Sequence, residues 1–260
     1  MVRQVSAEIK INMNNETKKV ILIIADISGY TSYMVAHRAE LEHGQVLITE
    51  LLEAIISQAE IPIEISKLEG DAVFMYAPDS GGEKGFEDTA LKVSYKLLKF
   101  FDAFSEKLRE LIESNMCCCK ACANLDKLRL KLIIHSGEAL FHRVGNFNEL
   151  AGVDVITLHR LLKNSVDSNH YIMMTESAHR LLDFEGKSEM SEIVESYSEI
   201  GSIRNFVYYM EGRDRLKTGA APKTYSTLYY KAKTLVWLVA RSMFIRLGLI
   251  KGPDLKNISQ

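Results

Sequence analysis

The sequence predicts an α+β fold on a ferredoxin-like (palm-type) βαββαβ core, with further strands and a helix added on its C-terminal side. Three observations predict it. Val20 to Ala25 are apolar without alternation, as in a central strand covered on both faces. Two long stretches with apolar residues at helical spacing, roughly 41–60 and 86–114, flank a short alternating hairpin. A second apolar strand, Leu128 to Ile134, follows the second helix and completes the β-α-β-β-α-β order.

The elements follow in order. The first strand ends in Asp26 with no polar preamble, and a buried carboxylate is costly unless something pairs with it. Ile27-Ser28-Gly29-Tyr30-Thr31 then breaks the strand period. Gly29 permits a tight turn whose N–H groups can converge on an anion. On this stretch alone, Asp26 serves equally well as the N-cap of a plain strand-to-helix turn. Thr31 to Met34 start a short helix. Leu47, Leu51, Leu52, Ile55 and Ile56 mark the helix that Pro62 ends. Ile63 to Leu68 alternates, Glu69-Gly70-Asp71 interrupts, and Ala72 to Tyr76 returns, which predicts a hairpin with Asp71 at its tip.

Pro78 to Gly85 is a loop. The long helix from Phe86 to about Ser114 has Ala90, Val93, Leu97, Leu98, Phe101, Phe104 and Leu108 on its apolar side. His135-Ser136-Gly137 is expected to end the next strand, with His135 a core or turn residue. Phe141 to Asn148 reads as a strand and a turn, and Val153 to Leu162 as a helix. Tyr171 to Met174 is a short strand and Glu176 to Leu182 a short helix. Glu192 to Tyr197 and Ile203 to Met210 close the sheet.

A chain of 260 residues, 47% hydrophobic and with net charge −2, fits one large domain with an appendage. The expected divisions are a polar tail at 1–18, a domain at 19–212 and a basic extension at 213–260. Residues 211–260 carry ten Lys/Arg and three Asp/Glu, a balance of +7 against −9 for the rest. A nucleic-acid partner is not expected. All four cysteines fall between Cys117 and Cys122, in an insert at 115–127, so they cannot staple distant parts of the fold. With no secretory pattern at the start, a cytoplasmic location is expected.

Cys117, Cys119 and Cys122 have a spacing that can give three thiolates to a soft metal such as Zn²⁺. A redox-sensitive cluster and an incidental loop are the alternatives. Thr234 to Ile250 spans 17 residues and includes Arg241 and Arg246, too short and too charged for a membrane-spanning helix. Residues 231–251 suit either a helix packed on the domain or across a dimer, or peripheral contact with an anionic membrane.

Asp26 and Asp71 stand out, because in a split βαβ core their strands can be neighbours. Two adjacent aspartates repel and raise each other's pKa unless a cation lies between them. Hard ions such as Mg²⁺ take such oxygen ligands and keep positions for phosphates.

At this point the sequence resembles the class III nucleotidyl cyclases, over about Val20 to Tyr209. Ala25-Asp26-Ile27-Ser28-Gly29-Tyr30-Thr31 is similar to the family's first metal motif, and Lys67-Leu68-Glu69-Gly70-Asp71 to its Lys-x-x-Gly-Asp hairpin. Leu130 to Gly137 is similar to its central strand. Gly152 to Leu161 is similar to its Gly-x-x-Val-Asn-x-Ala-x-Arg helix. The cysteine insert and the His159-Arg160-Leu161-Leu162-Lys163-Asn164 run resemble a divergent bacterial branch.

The resemblance implies that Asp26 and Asp71, with the Ile27 carbonyl, hold two Mg²⁺ or Mn²⁺ ions. It implies that N–H groups from Ile27, Ser28, Gly29, Tyr30 and Thr31 hold a triphosphate. Lys67 and Glu149 fall on base-reading positions, a donor and an acceptor that favour ATP. Arg160 falls on the arginine that stabilises charge as the 3′-oxygen attacks. Metal ligands and arginine come from opposite protomers, so a homodimer is implied. Two departures bear on turnover. Ile156 replaces the ribose-orienting asparagine, and no lysine stands at the second charge-stabilising position, for which Arg204 or Lys163 are substitutes. The expected function is conversion of a nucleoside triphosphate to cyclic nucleotide and pyrophosphate. The alternative is a cyclase-like module that binds nucleotide or dimerises without turnover.

Overall fold

The structure is a computed structural model that describes residues 16–36, 41–81, 85–114 and 124–210, together with Cys122, Ala232 and Val236. Its frame is one eight-stranded sheet. In chain order the strands are β1 (Glu16–Ser28), β2 (Glu64–Glu69), β3 (Ala72–Pro78), β4 (Arg129–Val144), β5 (Phe147–Ala151), β6 (Tyr171–Thr175), β7 (Ser191–Tyr197) and β8 (Gly201–Tyr209). The helices are α1 (Tyr30–Ala36), α2 (Leu41–Ile56), α3 (Gly85–Glu113), α4 (Val153–Leu161) and α5 (Glu176–Leu181). The strand order is β2-β3-β1-β4-β6-β8-β7, with β5 paired to β4 as a hairpin. The first four of these strands give the ferredoxin-like order, and β6 to β8 are the predicted additions.

β1 is central because every residue from Val20 to Ala25 is fully buried. Ile21, Ile23, Ala25 and Ile27 join the larger core, which holds Leu51 and Ile55 of α2 and Val93, Leu97, Phe101 and Phe104 of α3. Val20, Leu22 and Ile24 join a second core with Phe74, Ile133 and Val155, Leu158 and Leu161 of α4. The strand is therefore apolar on both faces, and this is why the sequence shows no alternation there.

Two boundaries differ from expectation. β1 starts at Glu16, inside the stretch read as a polar tail. β4 does not stop at His135-Ser136-Gly137 but runs for 16 residues. The two corrections have one cause: Glu16 to Val20 pair with Phe141 to Gly137, so each strand extends the other. Gly137 is needed for space, since a Cβ there would collide with the Asp154 carboxylate. Among the described residues, no helix is long and apolar enough to cross a membrane. Residues 1–15 and the expected extension at 213–260 lie outside the described residues apart from Ala232 and Val236, so the tail, the basic helix and its membrane or packing roles rest on sequence.

Candidate active site

Asp26 continues the even-numbered face of β1, the face toward α4. Its register partners are Ala72 on β3 and Lys131 on β4. Ala72 directly follows Asp71, and the Ile27 N–H donates to the Asp71 carbonyl at 3.1 Å. The two aspartates predicted from motifs are thus brought together, one at the end of a buried strand and one at the hairpin turn. Burial pushes the Asp71 carboxyl from its ordinary 3.8 to about 6, and the charge of Asp26 adds to the rise. Asp26 is also raised, by burial, with Lys131 opposing.

Lys131 is the residue that motif reading passed over. Its Nζ lies 3.5 Å from Asp26 Oδ1 and donates to the Leu162 carbonyl at 3.3 Å, just past the end of α4. One lysine among two half-buried carboxylates leaves negative charge in excess. The signal in the sequence was a lone cation inside the apolar run Leu130-Lys131-Leu132.

The hard-oxygen donor set fits Mg²⁺ or Mn²⁺. Among the described residues there is no cluster of three or more His, Cys, Asp or Glu side chains that would form a closed metal cage. Two carboxylates that leave the remaining positions to water and phosphate are the arrangement such ions use in phosphoryl chemistry.

The adjoining turn carries a second sign of a missing partner. Ser28 shares the Asp26 face, and its buried Oγ has no hydrogen-bond partner. Gly29 follows with φ of 91°, and its carbonyl accepts from the Tyr33 N–H at 2.9 Å as α1 begins. Of the five N–H groups expected to face a triphosphate, that of Ile27 donates to the Asp71 carbonyl.

Lys67 and Glu149, 82 positions apart in the chain, meet directly, with Lys67 Nζ 2.7 Å from Glu149 Oε2. Glu149 is on β5 rather than in a loop, and β2 and β5 lean together across a cavity of about 730 Å³. Tyr76, Phe141 and Phe147 also line that cavity.

α4 carries the remaining predicted residues. Its first turn is pinned by Asp154, whose carboxylate accepts from the Glu138 N–H at 2.7 Å and contacts His135 Nε2 at 3.0 Å. The other ring nitrogen of His135 meets Thr175 Oγ1 at 2.8 Å, so the buried histidine joins α4, β4 and β6 in a structural role. Its last turn is held by Tyr197, whose hydroxyl donates to the Lys163 carbonyl at 3.1 Å, and by the Ser165–Glu195 contacts at 2.6 and 2.7 Å. On the helix, His159 packs edge-on to Phe74 and lies 3.4 Å from Glu69, beside the Asp71 turn.

Arg160 points outward and, among the described residues, pairs with Glu199 at 3.9 Å. Ile156 is 52% exposed. The two lysine substitutes separate. Lys163 lines a cavity of about 440 Å³ with Ile156 and Arg160, whereas Arg204 pairs with Glu192 at 3.1 Å and Glu176 at 3.4 Å.

Cys117 and Cys119 lie outside the described residues. Cys122 is buried, with its Sγ 3.6 Å from His43 Nε2. Nothing among the described residues supports the Zn²⁺ expectation.

The fold is that of the class III nucleotidyl cyclase domains. The guanylyl cyclase Cya2 superposes with a TM-score of 0.56 at 12% identity, over 75% of this chain and 93% of that one. The adenylyl cyclase CyaB from P. aeruginosa gives 0.52 at 14%, over 75% and 95%. The guanylate cyclase domain of RhGC from Catenaria anguillulae, in complex with GTP, gives 0.54 at 13%, over 74% and 97%. In sequence the chain belongs to the family of the uncharacterized protein Rv2561/Rv2562 of Mycobacterium tuberculosis, to which it is 33% identical over 154 residues, 59% of this chain and 69% of that one. Residues 48–171 match the family described as protein of unknown function (DUF2652).

Proposed function

We propose that this protein is a metal-dependent nucleotidyl cyclase that works as a homodimer. In this reading it converts a nucleoside triphosphate, with ATP favoured, to the 3′,5′-cyclic nucleotide and pyrophosphate. The observation that carries the reading is the pairing of Asp26 with Asp71 at an orphaned hydroxyl and a glycine turn, on the cyclase fold. Bound divalent ions would activate the 3′-oxygen and neutralise the departing pyrophosphate.

The chain's own residues do the rest. Asp26 and Asp71 hold the ions. Ser28 to Thr31 seat phosphate oxygens. Lys131, freed from offsetting the carboxylates once a divalent ion is bound, has a charge to offer a phosphate. Lys67 and Glu149 part to take the base between them, the ammonium donating to a ring nitrogen and the carboxylate accepting from an exocyclic amine. That polarity matches adenine. Arg160, on a helix fixed at both ends, stabilises charge as the 3′-oxygen displaces pyrophosphate from the α-phosphorus.

Arg160 faces Glu199, away from the Asp26–Asp71 pair, and in this reading a second copy brings its arginine over the metal ions of its partner. Val144 and Phe147 on the β4–β5 hairpin and Val153 and Ile156 on α4 are exposed, and a partner protomer would cover them.

A second reading rests on Ile156, which has no group to orient a ribose. In that reading the dimer binds nucleotide without turnover. Incubation of the purified protein with each of the four nucleoside triphosphates and Mn²⁺, followed by mass spectrometry, separates the two. Cyclic product that disappears in Asp71→Ala supports the cyclase. Retained nucleotide binding with no product from any of the four supports the binding module.

A further inference from the structure

Neighbouring strands place one residue each in a single cross-strand row at the metal turn. Glu69 on β2 pairs with Ala72 on β3, Ala72 with Asp26 on β1, and Asp26 with Lys131 on β4. Residues paired in register share a face, and Ala72 belongs to the core under α4, so these side chains all lie on the α4 side of the sheet. In that row only the Ala72 methyl stands between Glu69 and Asp26. Two strand spacings set their backbones about 10 Å apart, a gap that a glutamate, an aspartate and a metal ion between them can span. Asp71, the other half of the pair, follows Glu69 by two residues.

A third carboxylate is thus within reach of the Asp26–Asp71 pair, on the edge strand of the sheet and next to a glycine with φ of 70°. It is turned elsewhere. Glu69 Oε2 lies 3.4 Å from His159 Nδ1 on α4. The imidazole is itself held by edge-on contact with Phe74, ring centroids 5.0 Å apart, and by a helix pinned at both ends. Pairing one partly exposed glutamate adds little to folding stability. It does set the direction of that carboxylate.

We propose that His159 is a positioning residue that holds Glu69 out of the metal site. This rests on the metal assignment made above and deepens it, because it decides how many coordination positions stay open and for which ions. Mg²⁺ in phosphoryl chemistry takes one or two carboxylates and leaves its other positions to water and phosphate oxygens. A third carboxylate would fill a position that a phosphate needs. It would also add ligand charge, which tightens binding and favours Ca²⁺, an ion that takes six to eight oxygens. With Glu69 held on α4, the site stays open and suits the smaller ions.

The test measures binding of Mn²⁺ alone and of Ca²⁺ alone, by calorimetry, to wild type, His159→Phe, His159→Gln, Glu69→Gln and the double variant His159→Phe/Glu69→Gln. His159→Phe keeps a ring against Phe74 and removes the nitrogen that faces Glu69. It is expected to bind Mn²⁺ about tenfold more tightly than wild type, with a larger gain for Ca²⁺, as one more charged ligand joins the site. Cyclic product should fall in the same variant. His159→Gln keeps a hydrogen-bond donor and should bind both ions as wild type does. Glu69→Gln should cancel the gain in the double variant, which a mere change of packing would not allow.

If His159→Phe binds Mn²⁺ no more tightly than wild type, while Asp71→Ala no longer binds it, the proposal is overturned and the metal pair stands. Tighter binding that persists in the double variant also overturns it, since Glu69 is then not the added ligand. A folded wild type that binds neither ion would remove the metal assignment and this proposal together.

Discussion

The carboxylate turn and helix α4 solve opposite problems. At the turn, Asp26 and Asp71 are held by backbone pairing alone, their side chains share one lysine, and both are pushed toward the protonated form. Around α4 the acids are satisfied: Asp154 on the helix has a backbone N–H and His135, and Glu195 on β7 has Ser165. One region stores unfavourable charge and the other removes it. Strained charge that the fold does not relieve points to a ligand, and satisfied charge points to rigid support. On the proposed reading, the first half receives the ions and the second presents Arg160 from a fixed platform.

The comparison can be broken most severely at the turn. Asp26→Ala or Asp71→Ala should abolish the increase in melting temperature that Mn²⁺ gives to wild type, and should reduce cyclic product by at least about 10³-fold. Neither should lower the melting temperature of the metal-free protein. A Mn²⁺ shift that survives in Asp71→Ala would remove that residue from the site.

The platform should respond in the reverse sense. Asp154→Ala deprives a buried histidine and a backbone N–H of their acceptor. It should cost about 1–2 kcal/mol in chemical denaturation, and it should leave the Mn²⁺ shift intact. An unchanged denaturation midpoint would show that α4 is not held there.

A smaller effect sharpens the contrast through pH. Asp71 binds its proton more tightly in the folded state, since its pKa rises from 3.8 to about 6. The unfolded chain therefore releases that proton first, and stability falls as pH rises through that window. In Asp71→Asn this part of the fall should be absent, and the metal-free variant should melt above wild type at pH 7.5. Identical pH profiles for the two proteins would contradict the assignment of unfavourable charge to Asp71.

The legibility of the sequence divides along the same line. Asp26, Gly29 and Asp71 could be read because each lies within a few residues of the apolar run that positions it. The core order could be read because β1 and α3 are long and regularly patterned. What could not be read is pairing across the sheet. Lys131 opposite Asp26, Lys67 against Glu149, and Asp154 against His135 are set by strand register and by helix docking, which no local pattern encodes. The misplaced end of β4 shows the same limit. His135-Ser136-Gly137 has the polar and glycine content of a stop, but Gly137 is there to make room for Asp154, and pairing with the extension of β1 carries the strand past it.

The central claim is that the carboxylates of one protomer act with Arg160 of the other, and subunit complementation tests it most directly. Asp71→Ala and Arg160→Ala, each inactive alone, should regain about a quarter of wild-type cyclase activity when co-refolded in equal amounts. Half of the dimers are then mixed, and each mixed dimer carries one intact site. Two folded, dimeric variants that stay inactive in the mixture, beside an active wild type, would contradict a site shared between protomers.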